Sequence, residues 1–199
     1  MTRNRTARVL LASVVALAAA ACSESTHSQF SPNVPQLRAS LVGKTSVAMQ
    51  RGQTVPQDIV RSFTVTQKGA NLEIPETGLK IQVPGNALPA NTASMTITVT
   101  ALGGSQFGYD FEPSGVTFRK PLRFEQDLGS SAGLLAALQG QSKKLVVAYF
   151  KSRSDIDPKS GTVQTFEDLS TTIDISGHTA KADVWHFSGY IVAWGFAAD

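Results

Sequence analysis

The chain has 199 residues, with 18 Lys and Arg against 15 Asp and Glu, a formal charge of +3, and a single cysteine. Arg3, Arg5 and Arg8 account for that whole excess, so residues 22–199 are electroneutral with 15 groups of each sign. A neutral body argues against a nucleic-acid surface, which needs clustered excess positive charge, and a lone thiol excludes an intramolecular disulfide.

The three arginines precede an apolar run at 9–21 that stops at Cys22. A basic start, a short apolar stretch and small residues before the cut make a bacterial export signal. The run is too short for a spanning helix, which needs about 20 apolar residues. Cys22 then becomes the new N-terminus, and thioether lipidation is its expected fate. Ordinary cleavage after Ala19-Ala20-Ala21, leaving a free thiol, is the alternative. Several acyl chains at about 0.8 kcal/mol per buried methylene make such an anchor effectively permanent. Ser23 stands where an Asp would signal inner-membrane retention, so the expected location is the cell envelope, at the outer membrane in a Gram-negative host.

Residues 22–57 are rich in Ser, Thr, Gln and Pro, with Pro32, Pro35 and Pro56 interrupting any regular pattern. They read as a flexible tether of roughly 30 Å reach. Leu37, Leu41 and Val42 offer at most one helical patch within it, and His27 has no metal partner nearby.

From 58 to 199 the apolar period becomes two. Leu79, Ile81 and Val83 alternate with polar residues, as do Met95, Ile97, Val99 and Ala101, then Phe107, Tyr109 and Phe111. Further strands are expected at 116–118, 122–124, 145–150, 163–166 and 171–175, with one long final strand at 180–194. Turn residues punctuate them at Pro84-Gly85-Asn86, Gly103-Gly104, Pro113-Ser114-Gly115 and 157–161. Only 131–138 reads as helical, through Leu134, Leu135 and Leu138. Many short, half-polar strands argue for an all-β, antiparallel β-sandwich over 58–199.

Three segments of this domain resemble the ZU-five domain found in zonula occludens proteins, ankyrins and netrin receptors. They are 78–88 (GLKIQVPGNAL), 109–121 (YDFEPSGVTFRKP) and 186–190 (HFSGY). The resemblance spans roughly 59–196 and implies a β-sandwich acting as a protein-binding or structural module, with no cofactor. It also implies a sharper possibility, since some such domains cut their own chain at His-Phe-Ser. The scissile bond here is Phe187-Ser188, with Ser188 as nucleophile on the Phe187 carbonyl and His186 as general base. Spaced two apart on a strand, His186 and Ser188 share a face, and Gly189 offers the flexibility for a local bend. The competing reading makes the same residues an ordinary hydrogen-bonded part of the terminal strand.

Other patterns are weaker. Asp110 and Glu112 share a strand face without a second carboxylate strand opposite them. Asp155 and Asp157 begin like a calcium loop, but Pro158 and Lys159 replace the next ligands. His27, His178 and His186 are scattered, so no metal site is expected. Trp185, Tyr190, Trp194 and Phe196 read as packing, with a polysaccharide platform as the minor alternative. The expected partners are the membrane, through the anchor, and an envelope protein or polysaccharide.

Overall fold

The computed structural model describes residues 42–129 and 144–195. The export segment, Cys22, His27, most of the tether, the 131–138 segment and Phe196 lie outside these residues.

Sixteen strands are described: β1 Lys44–Ala48, β2 Gln50–Val55, β3 Ile59–Thr66, β4 Ala70–Ile74, β5 Leu79–Val83, β6 Ser94–Ala101, β7 Gly104–Gln106, β8 Gly108–Glu112, β9 Thr117–Asp127, β10 Lys144–Phe150, β11 Ile156–Asp157, β12 Thr162–Thr165, β13 Glu167–Leu169, β14 Thr171–Asp174, β15 Thr179–His186 and β16 Gly189–Gly195. They pair antiparallel into a nine-stranded sheet, a five-stranded sheet ordered β14-β15-β9-β5-β4, and a small β2-β7 ribbon. The architecture is the all-β sandwich that the alternating pattern implies.

The main core lies between the two large sheets. Ile97, Val99, Tyr109, Phe111, Val147, Tyr190 and Val192 from one meet Ile74, Leu79, Ile81, Phe118, Leu122 and Phe124 from the other. A second, smaller core sits on the far side of β10 and β16, where Val146, Ala148, Phe150, Ile191 and Ala193 pack with Ala48, Leu102 and Val163. Strands buried on both faces need apolar residues at every position, not at every second one. The runs Val146-Val147-Ala148 and Ile191-Val192-Ala193 meet that need.

Three sequence expectations are corrected. Strands β1 and β2 are already formed ahead of residue 58, so the 22–57 tether is too long as drawn. β1 buries Ser46 and Ala48, at 3% and 2% exposure, and Ser46 Oγ bonds Thr165 Oγ1 at 2.9 Å. Its inward face is small and partly polar, which hides the strand from a hydropathy pattern. The strands expected separately at 116–118 and 122–124 are one, because β9 runs through Pro121. Its missing N–H falls at the register shift where β15 opposite it is irregular between Val184 and His186, a place where a ladder tolerates proline. Finally, the expected strand at 180–194 is two strands in different sheets.

Candidate functional site

β15 belongs to the five-stranded sheet and β16 to the nine-stranded one, so Phe187 and Ser188 are the crossover between the two layers. Phe187 is fully buried, stacked on Phe111 at 5.4 Å between centroids and edge-on to Phe118 at 4.6 Å. Its backbone bonds the Pro-Ser-Gly corner instead of a strand ladder: Phe187 N–H donates to Val116 O at 2.9 Å, and Gly115 N–H donates to Phe187 O at 3.0 Å. The break therefore has a packing cause, with the aromatic side chain plunging into the core exactly where the chain changes sheets. Gly189 serves this junction differently from expectation. It is not in the left-handed region. A Cβ there would stand 2.3 Å from the Phe150 ring, so the residue is glycine for space.

The crossover brings His186 and Ser188 together although they share no continuous strand. His186 Nδ1 lies 3.2 Å from Ser188 Oγ, and Ser188 Oγ donates to the Phe187 carbonyl oxygen at 2.6 Å. The nucleophile candidate thus sits beside the carbonyl it would attack. Ser188 and His186 are half-buried, within reach of water.

Sequence reasoning missed the groups around this pair. Glu167 Oε2 lies 3.5 Å from His186 Nε2, and both side chains are largely buried; among the described residues that carboxylate oxygen has no hydrogen-bond partner. A carboxylate facing Nε2 favours the tautomer protonated there, which leaves Nδ1 as the acceptor facing the serine hydroxyl. Tyr190 O–H donates to the His186 carbonyl at 2.6 Å and its oxygen also lies 3.2 Å from Nδ1. Burial above all, then the Glu167 charge and Tyr149, push the Tyr190 pKa far up, so the phenol stays neutral and donating. Register explains the assembly: Glu167 pairs with Tyr149 across β13-β10, and Tyr149 pairs with Tyr190 across β10-β16. Glu167 sits on a three-residue strand with no periodicity to announce it, so no local signal could have singled it out.

The remaining candidates do not converge. Asp110 pairs with Thr100 and Glu112 with Thr98, so no carboxylate stands opposite either. Asp155 caps a short turn, accepting from Lys151 and Ser152 N–H groups at 3.0 and 2.9 Å. Asp157 accepts from Ser160 and Lys159, which hold its carboxyl below the usual range. Among the described residues no group of His, Cys, Asp and Glu could hold a metal ion, and no helix is long and apolar enough to cross a membrane. Of the aromatics, Tyr190 is fully buried and Trp194 packs partly against the core.

No known protein-family pattern matches this chain, and neither does any curated protein.

Proposed function

We propose that this chain is an exported, lipid-anchored envelope protein whose ZU-five-like β-sandwich cuts itself once, between Phe187 and Ser188, and thereafter acts by binding rather than by turnover. The leader ending at Cys22 supports the location. The observation that carries the chemistry is His186 Nδ1 at 3.2 Å from a Ser188 hydroxyl lying against the Phe187 carbonyl.

In this scheme the Ser188 hydroxyl turns its proton from the Phe187 oxygen to His186 Nδ1, and Oγ then attacks the Phe187 carbonyl carbon while Nδ1 takes that proton. The oxygen becomes an oxyanion that keeps the Gly115 N–H bond. Collapse breaks the Phe187–Ser188 C–N bond, and His186 returns the proton to the departing Ser188 amine. The ester so formed is hydrolysed by water to a Phe187 carboxylate and a free Ser188. A cut completed over hours needs a barrier near 23 kcal/mol, about 8–10 below unassisted amide hydrolysis. A positioned base supplies about 3–5 kcal/mol of that, and one preorganised backbone donor about 3. The balance falls to proximity, since nucleophile and carbonyl are already adjacent.

After such a cut β16 stays in place, because β10 pairs with it over its full length and β8 and β1 share its other edge. Intact mass of the purified chain tests the scheme. The wild type is expected to yield a fragment beginning at Ser188, Ser188→Ala is expected to stay whole, and Glu167→Gln is expected to cut about tenfold more slowly through loss of the group that orients His186. A wild type that stays whole after prolonged incubation refutes the cut. The second reading, a binding or structural module that never cuts, then stands on the Tyr190-to-His186 bond, which braces the crossover in the same geometry.

A further inference from the structure

Two oxygens stand equally close to His186 Nδ1. Ser188 Oγ is one, at 3.2 Å, and Tyr190 Oη is the other, also at 3.2 Å. The self-cleaving scheme uses only the first. Tyr190 is fully buried on β16, where Tyr109 of β8 and Tyr149 of β10 pair with it from either side, and Phe111 meets its ring edge-on at 5.8 Å between centroids. The core therefore fixes the ring, and its hydroxyl reaches the Nδ1 side of the histidine while Glu167 faces Nε2.

A phenol has one proton to give. Here it goes to the His186 carbonyl at 2.6 Å, and burial above all, then the Glu167 charge and Tyr149, keep that proton on the oxygen. What Oη shows to Nδ1 is thus a lone pair. A neutral ring protonated at Nε2 also shows a lone pair at Nδ1, so the contact gives nothing in the resting site. Once Nδ1 carries the serine proton, the same contact becomes a charge-assisted hydrogen bond, made in surroundings from which most water is excluded. An interaction that exists only after proton transfer favours the transition state over the ground state.

We propose that Tyr190 is a positioning residue for the cut: its hydroxyl oxygen accepts the N–H that His186 gains from Ser188, and so makes the ring a stronger base in the step that forms the tetrahedral intermediate. This rests on the self-cleaving reading. The proton passes from Ser188 Oγ to Nδ1 and later to the departing Ser188 amine, while Tyr190 keeps its own proton and only accepts. The titratable groups facing the ring are Glu167 from β13, at Nε2, Tyr149 from β10, edge-on at 5.4 Å between centroids, and Tyr190 from β16; Thr117, opposite on β9, carries no charge. Glu167 stabilises the same positive ring from its far nitrogen, so the two groups hold the imidazolium between them.

The test follows the pH dependence of cutting by intact mass, in the full chain released from denaturant into buffers of different pH. Three chains are compared: wild type, Tyr190→Phe, and one with 3-fluorotyrosine at position 190, which keeps the shape of the ring and its donor but weakens the oxygen as an acceptor. Tyr190→Phe is expected to cut about tenfold more slowly on the alkaline plateau. Its acid limb is expected at lower pH, because an imidazolium without its acceptor is less stable and sheds its proton sooner. The fluorotyrosine chain is expected to cut several-fold more slowly, with its acid limb displaced the same way. A purely bracing role for Tyr190 predicts a lower Tm and slower cutting in Tyr190→Phe with the acid limb unmoved, and that result overturns the proposal. So does a fluorotyrosine chain that cuts like wild type, a result that decides the matter if Tyr190→Phe does not fold. In both cases the wild type still cuts; a wild type that stays whole refutes the self-cleaving reading itself, and this proposal with it.

Discussion

At the scale of single residues, the chain separates groups that only position from groups that can react. Ser188 is an ordinary half-buried serine until the crossover lays it against the Phe187 carbonyl, and His186 becomes a candidate base because Glu167 faces its other nitrogen. Asp58 illustrates a purely structural charge. It accepts from both terminal nitrogens of Arg153, and from the Gly103 N–H at 2.8 Å. Chiefly the Arg153 bond, then the Gly103 N–H, hold its carboxyl below the usual range. A depressed folded pKa means a stabilisation that is present above the unfolded carboxyl's pKa, about 3.9, and is lost as pH falls through the lower folded value. The pair is partly exposed, with Arg153 at 60%, and solvent screening keeps its worth to about 0.5–1 kcal/mol. Asp58→Asn is therefore expected to lower the urea midpoint at pH 7 and to match the parent near pH 2; an equal deficit at both would assign the effect to packing instead.

At the scale of elements, the junction of β15 and β16 is set by four aromatic rings and one missing methyl group. Phe187 fills the space between Phe111 and Phe118, and the Phe150 ring occupies the volume a side chain at 189 would need. Gly189→Ala is expected to cost about 1–3 kcal/mol by overpacking. Shrinking the ring should return part of that loss, so Gly189→Ala with Phe150→Leu is expected to destabilise by less than the sum of the two single changes. Denaturant unfolding of the four proteins measures this, and simple additivity would show that the ring does not limit the site. The element scale also separates the single strand expected at 180–194 into β15 and β16. The pattern alternates up to Val184 and is continuously apolar from Tyr190, and neither half carries a local mark of the step from one sheet to the next.

For the whole molecule, the second core draws β1 into the folded domain. β1 covers it, pairing with β12 along Lys44–Val47 and with β16 at Val47 and Ala48. Met49, next along the chain, is itself buried in the main core. A chain starting at residue 43 is expected to melt cooperatively at the temperature of the full chain. One starting at residue 58 should lose at least about 3 kcal/mol of apolar burial, which for a domain of this size lowers the Tm by roughly 10 °C. Equal melting of both would place β1 and β2 outside the cooperative unit.

The sequence by itself determined the fold class, because alternation along a strand is a local property that any window of eight residues displays. It also singled out His186, Phe187 and Ser188 as three consecutive residues. It did not contain the rest of the site. Glu167 reaches His186 only through two strand pairings, Gly115 reaches the Phe187 carbonyl only because a corner loop replaces the ladder, and Arg51 meets the Phe107 and Tyr109 rings only once β2 folds against them. These relations join residues distant along the chain, and register and layer order, which no local pattern encodes, alone decide which of them meet.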